Sequence, residues 1–223
     1  MIWNVPQRAT PECAGSTAEC VPLYEKSVFI NCPFDDVYEP LFHAVVLVVT
    51  ALGFTPRCAR ESEGEADARI VRISRGLMAC KYSIHDLSRF QGEGPENLAR
   101  FNMPLELGIA LGLRAIREGT ATPHNWVVLV PQNFVHHKFV SDLAGFDVPD
   151  HDALPATIIR KVAAWLSLQP DFTPPVPTAR LIHESYPGFQ AALGRVRADA
   201  LGSLTWPQIV RTAVDVVRDL PTV

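Results

Sequence analysis

The sequence predicts an α/β protein built on a parallel sheet. Short β-rich runs alternate with helical segments between residues 27 and 168, the order that builds a parallel sheet covered by helices. One run, Trp126–Val130 (WVVLV), is apolar without alternation, as a strand buried on both faces must be. A long apolar segment, Tyr38–Leu52, stops at Gly53, a glycine placed where a helix needs a left-handed residue to end.

Each element follows in turn. Ser27–Phe34 (SVFINCPF) reads as a first strand, ended by Pro33 and the Asp35-Asp36 pair. Tyr38–Leu52 reads as a buried helix and Phe54–Arg60 as a second strand. Asp67–Cys80 carries Ile70, Ile73, Ser74 and Leu77 at helical spacing, with Arg69, Arg72 and Arg75 opposite as a solvated face. Tyr82–Leu87 is a third strand. Asn102–Glu118 is a helix that tolerates Pro104 in its first turn. After Trp126–Val130, Ala153–Leu168 forms an amphipathic helix, and Gly188–Leu201 and Thr205–Leu220 form two more. Ile209, Ala213, Val216, Val217 and Leu220 make an apolar stripe on the last, which needs a partner surface in the same domain or in another chain.

These elements divide the chain into a poorly ordered arm (1–26), an α/β domain (27–169), a Pro-rich linker (170–178, containing DFTPPVP) and a C-terminal helical extension (179–223). With 223 residues, 48% of them hydrophobic, the chain can bury a sizeable core. Twenty basic against twenty-four acidic residues leave a net charge of −4, which excludes bulk attraction to nucleic acid. The apolar run Ala44–Leu52 is far shorter than the roughly 18 residues of a membrane span. Five cysteines (Cys13, Cys20, Cys32, Cys58, Cys80) include no C-x-x-C pair, which suits free thiols in a reducing cytoplasm. His136, His137 and His151 lack metal-ligand spacing, so no metal and no bound cofactor are expected. No dinucleotide-type or Walker-type glycine loop occurs.

Open parallel sheets bind ligands beyond the carboxyl ends of their strands. There this topology gathers Asn31, Pro33, Asp35 and Asp36 after the first strand, and Arg57, Arg60 and Glu61 after the second. His85, Asp86, Ser88 and Arg89 follow the third, with Asn102 and Glu106 opening the next helix. Glu106 stands in an otherwise apolar run, MPLELGIALG, where a charge is costly unless paired or used. It reads either as a first-turn glutamate favoured by the helix dipole or as a carboxylate held near a ligand, which the dipole would keep ionised. Such a carboxylate beside a sugar C1′ can attack it or stabilise an oxocarbenium-like transition state. Asp86 reads as a turn cap, as an acceptor for ribose hydroxyls, or as the second carboxylate of a pair. His85, alternating away from Asp86, reads as a packing histidine. Arg57 and Arg60 are placed to meet a phosphate. Gly92–Pro95 (GEGP) lies in a loop long enough to act as a lid.

Three blocks, FINCPFDDVY (29–38), YSIHDLS (82–88) and NMPLELGIALG (102–112), together resemble the superfamily of nucleoside 2-deoxyribosyltransferase-like and bacterial TIR-like proteins. The resemblance spans roughly residues 27–132. It implies a flavodoxin-like sheet of about five strands and cleavage or exchange of N-glycosidic bonds in nucleosides, nucleotides or NAD. It implies that Glu106 is the essential carboxylate and that Asp86 orients the substrate. It further implies that Ser88 and Asn102 line the pocket and that Asn31, Pro33 and Phe34 touch base or ribose. The expected activity is NAD glycohydrolase-type cleavage by a cytoplasmic homo-oligomer, as in bacterial anti-phage effectors. Two alternatives stand beside it: a nucleotide-binding module without catalysis, and a salvage enzyme acting on deoxynucleosides or nucleotides.

Overall fold

The structure, a computed structural model, describes residues 23–90, 101–132 and 138–223. Its centre is a four-stranded, all-parallel sheet in the order β2-β1-β3-β4, formed by β1 (Ser27–Asn31), β2 (Thr55–Cys58), β3 (Tyr82–Asp86) and β4 (Asn125–Leu129). The helices are α1 (Leu23–Lys26), α2 (Glu39–Ala51), α3 (Arg69–Met78), α4 (Asn102–Arg117), α5 (Pro155–Ser167), α6 (Ala179–Asp199) and α7 (Trp206–Arg218). The open α/β sheet read from the sequence is therefore present, in a strand order compatible with the flavodoxin-like fold.

Among the described residues, four strands stand where about five were expected. Val130 makes a single parallel bridge to Asp150 beyond the end of β4. The segment around Asp150 reads GFDVPDHDA. Its Gly, Pro and Asp residues disfavour strand pairing, so a further strand shrinks to one bridge.

The sheet is covered unequally. Val28, Ile30, Tyr82, Ile84, Val127 and Leu129 face one side, in one continuous apolar cluster with α2, α5, α6 and α7. Helix α2 is buried from Leu41 through Val49. Its β-branched run is a poor intrinsic helix former, and packing on all sides overrides that propensity. The opposite side carries α3 and α4, with two smaller apolar clusters, one around Phe29, Ile73 and Leu77 and one around Leu107, Trp126 and Val128.

Other boundaries shift for local reasons. The second strand stops at Cys58 because Ala59–Ser62 closes into a 3-10 turn, with the Cys58 N–H donating to Glu61 Oε1 at 3.3 Å. Helix α6 starts at Ala179 rather than Gly188, running through Pro187. Ile182 and Phe189, buried on either side of that proline, hold the helix together across the missing bond. Within the expected arm, Leu23–Lys26 forms α1, and the Tyr24 hydroxyl donates to Pro123 O at 2.6 Å. The Pro-rich 170–178 segment is fastened rather than free. Asp171 pairs with Lys81 at 2.7 Å and accepts from the Tyr82 hydroxyl, while Phe172 and Val176 pack on the main core. The C-terminal helices belong to that same core. The α7 stripe finds its partner surface within this chain, with Ile209 and Ala213 fully buried. Among the described residues, no helix is long and apolar enough to cross a membrane.

Candidate functional site

Strands β1 and β3 are neighbours, yet the chain visits β2 on the far side of β1 between them. Connections leave these strands in opposite directions, which opens a crevice beyond their carboxyl ends. Two loops form its walls, and one ion pair joins them. Arg89, after β3, holds Asp35, after β1, in a bidentate pair at 2.9 and 2.5 Å. Asp35 also accepts from the Tyr38 N–H at 3.0 Å, so the same carboxylate starts α2.

Helices α3 and α4 run back from this edge, and each presents its first residue there: Arg69 and Asn102. With Cys32, Pro33, Phe34, Arg89 and Met103 they line a cavity of about 110 Å³. Phe34 is 38% exposed and stands edge-on against Phe42, with ring centroids 5.3 Å apart.

Glu106 lies one helical turn beneath Asn102, on the face it shares with Met103. It is 2% exposed. Its Oε1 is 3.7 Å from the Arg69 guanidinium, and its Oε2 is buried without a hydrogen-bond partner. Burial pushes its carboxyl up to about 7, against the pull of Arg69 and of a hydrogen bond from the Asn31 side chain. This corrects the expectation of a first-turn glutamate kept ionised by the dipole. Glu106 belongs to the second turn of α4, and dipole effects fade beyond the first. Arg69 and Arg75 are both half exposed, as the solvated-face reading predicts. Arg75 pairs there with Glu65 and Asp67, while Arg69, the first residue of α3, also reaches the site, which spacing did not indicate.

Asp86 is placed on the other face of β3. Its Oδ1 accepts from the Ser88 N–H at 2.8 Å, and its Oδ2 lies 3.1 Å from His151 Nε2. The Tyr38 hydroxyl is also beside it; burial first, then the Asp86 charge, push that phenol well above its ordinary range. His151 Nδ1 accepts from the Ala153 N–H at 3.0 Å, so its other nitrogen carries the proton and bonds Ser88 Oγ, 3.1 Å away, which leaves the nearby Asp86 Oδ2 buried without a hydrogen-bond partner. Ser88, Arg89, Tyr38 and His151 line a neighbouring cavity of about 210 Å³. Both carboxylates act on the buried Cys32 thiol between the loops, which burial and these charges push far up.

Asn31, Pro33, Phe34, Asp35, Asp86, Ser88, Asn102 and Glu106 thus gather at one edge of the sheet. Arg57 and Glu61 do not. They pair with each other at 2.6 Å and line a separate cavity, with Phe29 and Gly76, against α3. Arg60 turns to Leu204 O at 2.6 Å. The sequence pattern does not mark Arg69, Tyr38 or His151 as residues of this crevice. The position of Arg69 at a helix start was the available signal, while nothing local marked Tyr38 or His151. The lid reading for Gly92–Pro95, and His136 and His137, lie outside the described residues.

Compared with known proteins, the chain matches no family model and no curated protein.

Proposed function

We propose that this crevice cleaves the N-glycosidic bond of NAD or a related nucleotide, with Glu106 facing the ribose C1′. The observation that carries the reading is the state of Glu106: a buried carboxyl with an unsatisfied oxygen, one turn below a cavity, its ionisation held near neutrality. Structural carboxylates are normally satisfied, and perturbed ones gather where chemistry is done. In the step envisaged, the C1′–N bond breaks and its electron pair neutralises the cationic nicotinamide ring. The carboxylate of Glu106 stabilises or traps the ribosyl cation, and water completes the hydrolysis. Arg69, costly at a helix N-terminus, supplies positive charge for a phosphate or for Glu106 itself. Phe34 offers a ring for a base. Asp86, with Oδ1 bound to the Ser88 N–H, orders the β3 loop, and its Oδ2, buried without a hydrogen-bond partner beside His151, is the acceptor for a ribose hydroxyl.

The test is chromatography of products after incubation with NAD, beside Glu106→Gln. Nicotinamide released by the wild type and not by the variant supports the reading. Full turnover by the variant refutes it. The small cavity and the covered carboxylate favour one alternative, a module that binds a nucleotide without cleaving it. A nucleotide that raises the melting temperature and is recovered intact selects that module. A deoxynucleoside consumed while NAD persists selects salvage chemistry.

A further inference from the structure

Between α4 and the sheet runs a chain of buried polar side chains. Asn31 Nδ2 is 3.0 Å from His85 Nδ1. His85 Nε2 is 2.9 Å from Ser83 Oγ, and Ser83 Oγ is 2.9 Å from His124 Nε2. His124 Nδ1 is 2.9 Å from the Cys80 carbonyl. Each of the four side chains is at most 3% exposed, so their bonds are made with one another.

The end of the chain dictates its direction. A carbonyl only accepts, so His124 Nδ1 carries a proton. Both imidazoles are neutral, because burial drives His85 down to about 3 and His124 down to about 4. A neutral ring has one N–H, so His124 Nε2 accepts, and Ser83 donates to it. Ser83 has no second proton, so His85 Nε2 must donate to Ser83. His85 Nδ1 is then an acceptor, and Asn31 is obliged to present its NH₂ there rather than its carbonyl. That same side chain hydrogen-bonds Glu106.

We propose that His85, Ser83 and His124 form a positioning relay that locks the Asn31 amide with its N–H groups toward Glu106. The proposal deepens the reading of Glu106 as the working carboxylate and rests on it for its functional meaning. Without the lock, Asn31 can turn its carbonyl to the carboxylate, which disfavours the ionised form. The other groups facing Glu106 are Arg69 from α3 and the Cys32 thiol just after β1.

The test is the titration of Glu106 by carbon NMR on the full chain labelled at glutamate side chains, with Glu106→Gln identifying the signal. Ser83→Ala, nearly isosteric, breaks the relay without touching Glu106. Its midpoint is expected to rise by roughly one pH unit, a tenfold loss of ionised fraction below the midpoint. His124→Asn keeps a donor for Cys80 O but removes the acceptor for Ser83. It is expected to shift the midpoint the same way by less, and it serves if Ser83→Ala does not fold. A folded variant whose Glu106 titrates like the wild type overturns the relay. Since the titration needs no turnover, a shifted midpoint in a protein that leaves NAD intact supports the relay while removing the glycosidase reading.

Discussion

The two faces of the sheet differ in what they bury. The α2 side packs four helices into one apolar cluster, and its buried polar groups near the crevice, Asp86 and His151, sit at its edge. The α3/α4 side has half as many helices and places Asn31, Ser83, His85, Glu106 and His124 between helix and sheet. Polar groups in such a place cost free energy unless satisfied. The relay satisfies all but one end, and that end is Glu106. The larger apolar cluster lies on the first face, and the buried carboxyl with its raised proton affinity on the second.

Matched truncations test this contrast at its largest. Leu47→Ala, at a fully buried site in the middle of α2, should cost about 4 kcal/mol in urea unfolding. Ile73→Ala on the other face should cost about 2 kcal/mol, because the small cluster around it has fewer neighbours to hold a cavity open. Equal costs would break the comparison.

Glu106→Gln should do the reverse and stabilise the protein. The folded carboxyl is raised to about 7, so the folded state holds its proton where the unfolded chain has released it. The resulting penalty grows as pH rises from about 4 and levels off above about 7. The variant should gain on the order of 3 kcal/mol at pH 8, shrinking to about 1 kcal/mol at pH 5. A variant equally destabilised at both pH values would mark Glu106 as a structural group.

The smallest effect belongs to Asp171, at the amino edge of the sheet. Burial raises its carboxyl, but bonds from Lys81 and Tyr82 outweigh that and hold it below its ordinary value. Its contribution is present above the unfolded value and lost as pH falls through the folded one. Asp171→Asn should cost about 1 kcal/mol at pH 7, and the difference should close below about pH 4.

Much of this was legible in the sequence. The unalternating Trp126–Val130 run marked a doubly buried strand, and Tyr38–Leu52 announced α2. The β1 and β3 loops and Glu106 emerged from topology and from one charge in an apolar run. What stayed hidden depends on more than one segment. Spacing placed Arg69 on a face, whereas its position at a helix end decides its partner. Reading Arg57 and Glu61 as strand-end ligands missed that they neutralise each other across the 3-10 turn. His85 is turned away from Asp86 and satisfied, as strand alternation predicts. Its bond to Asn31 required the β1–β3 register, Asn31 opposite His85, which no single strand reveals.

The most direct test of Glu106 as the working carboxylate is the pH dependence of nicotinamide release from NAD. With the ionised carboxylate of the free protein as the active form, kcat/KM should rise through about pH 7 to a plateau, and Glu106→Gln should be inactive throughout. Turnover that is flat across that range, or that survives in the variant, would contradict this assignment.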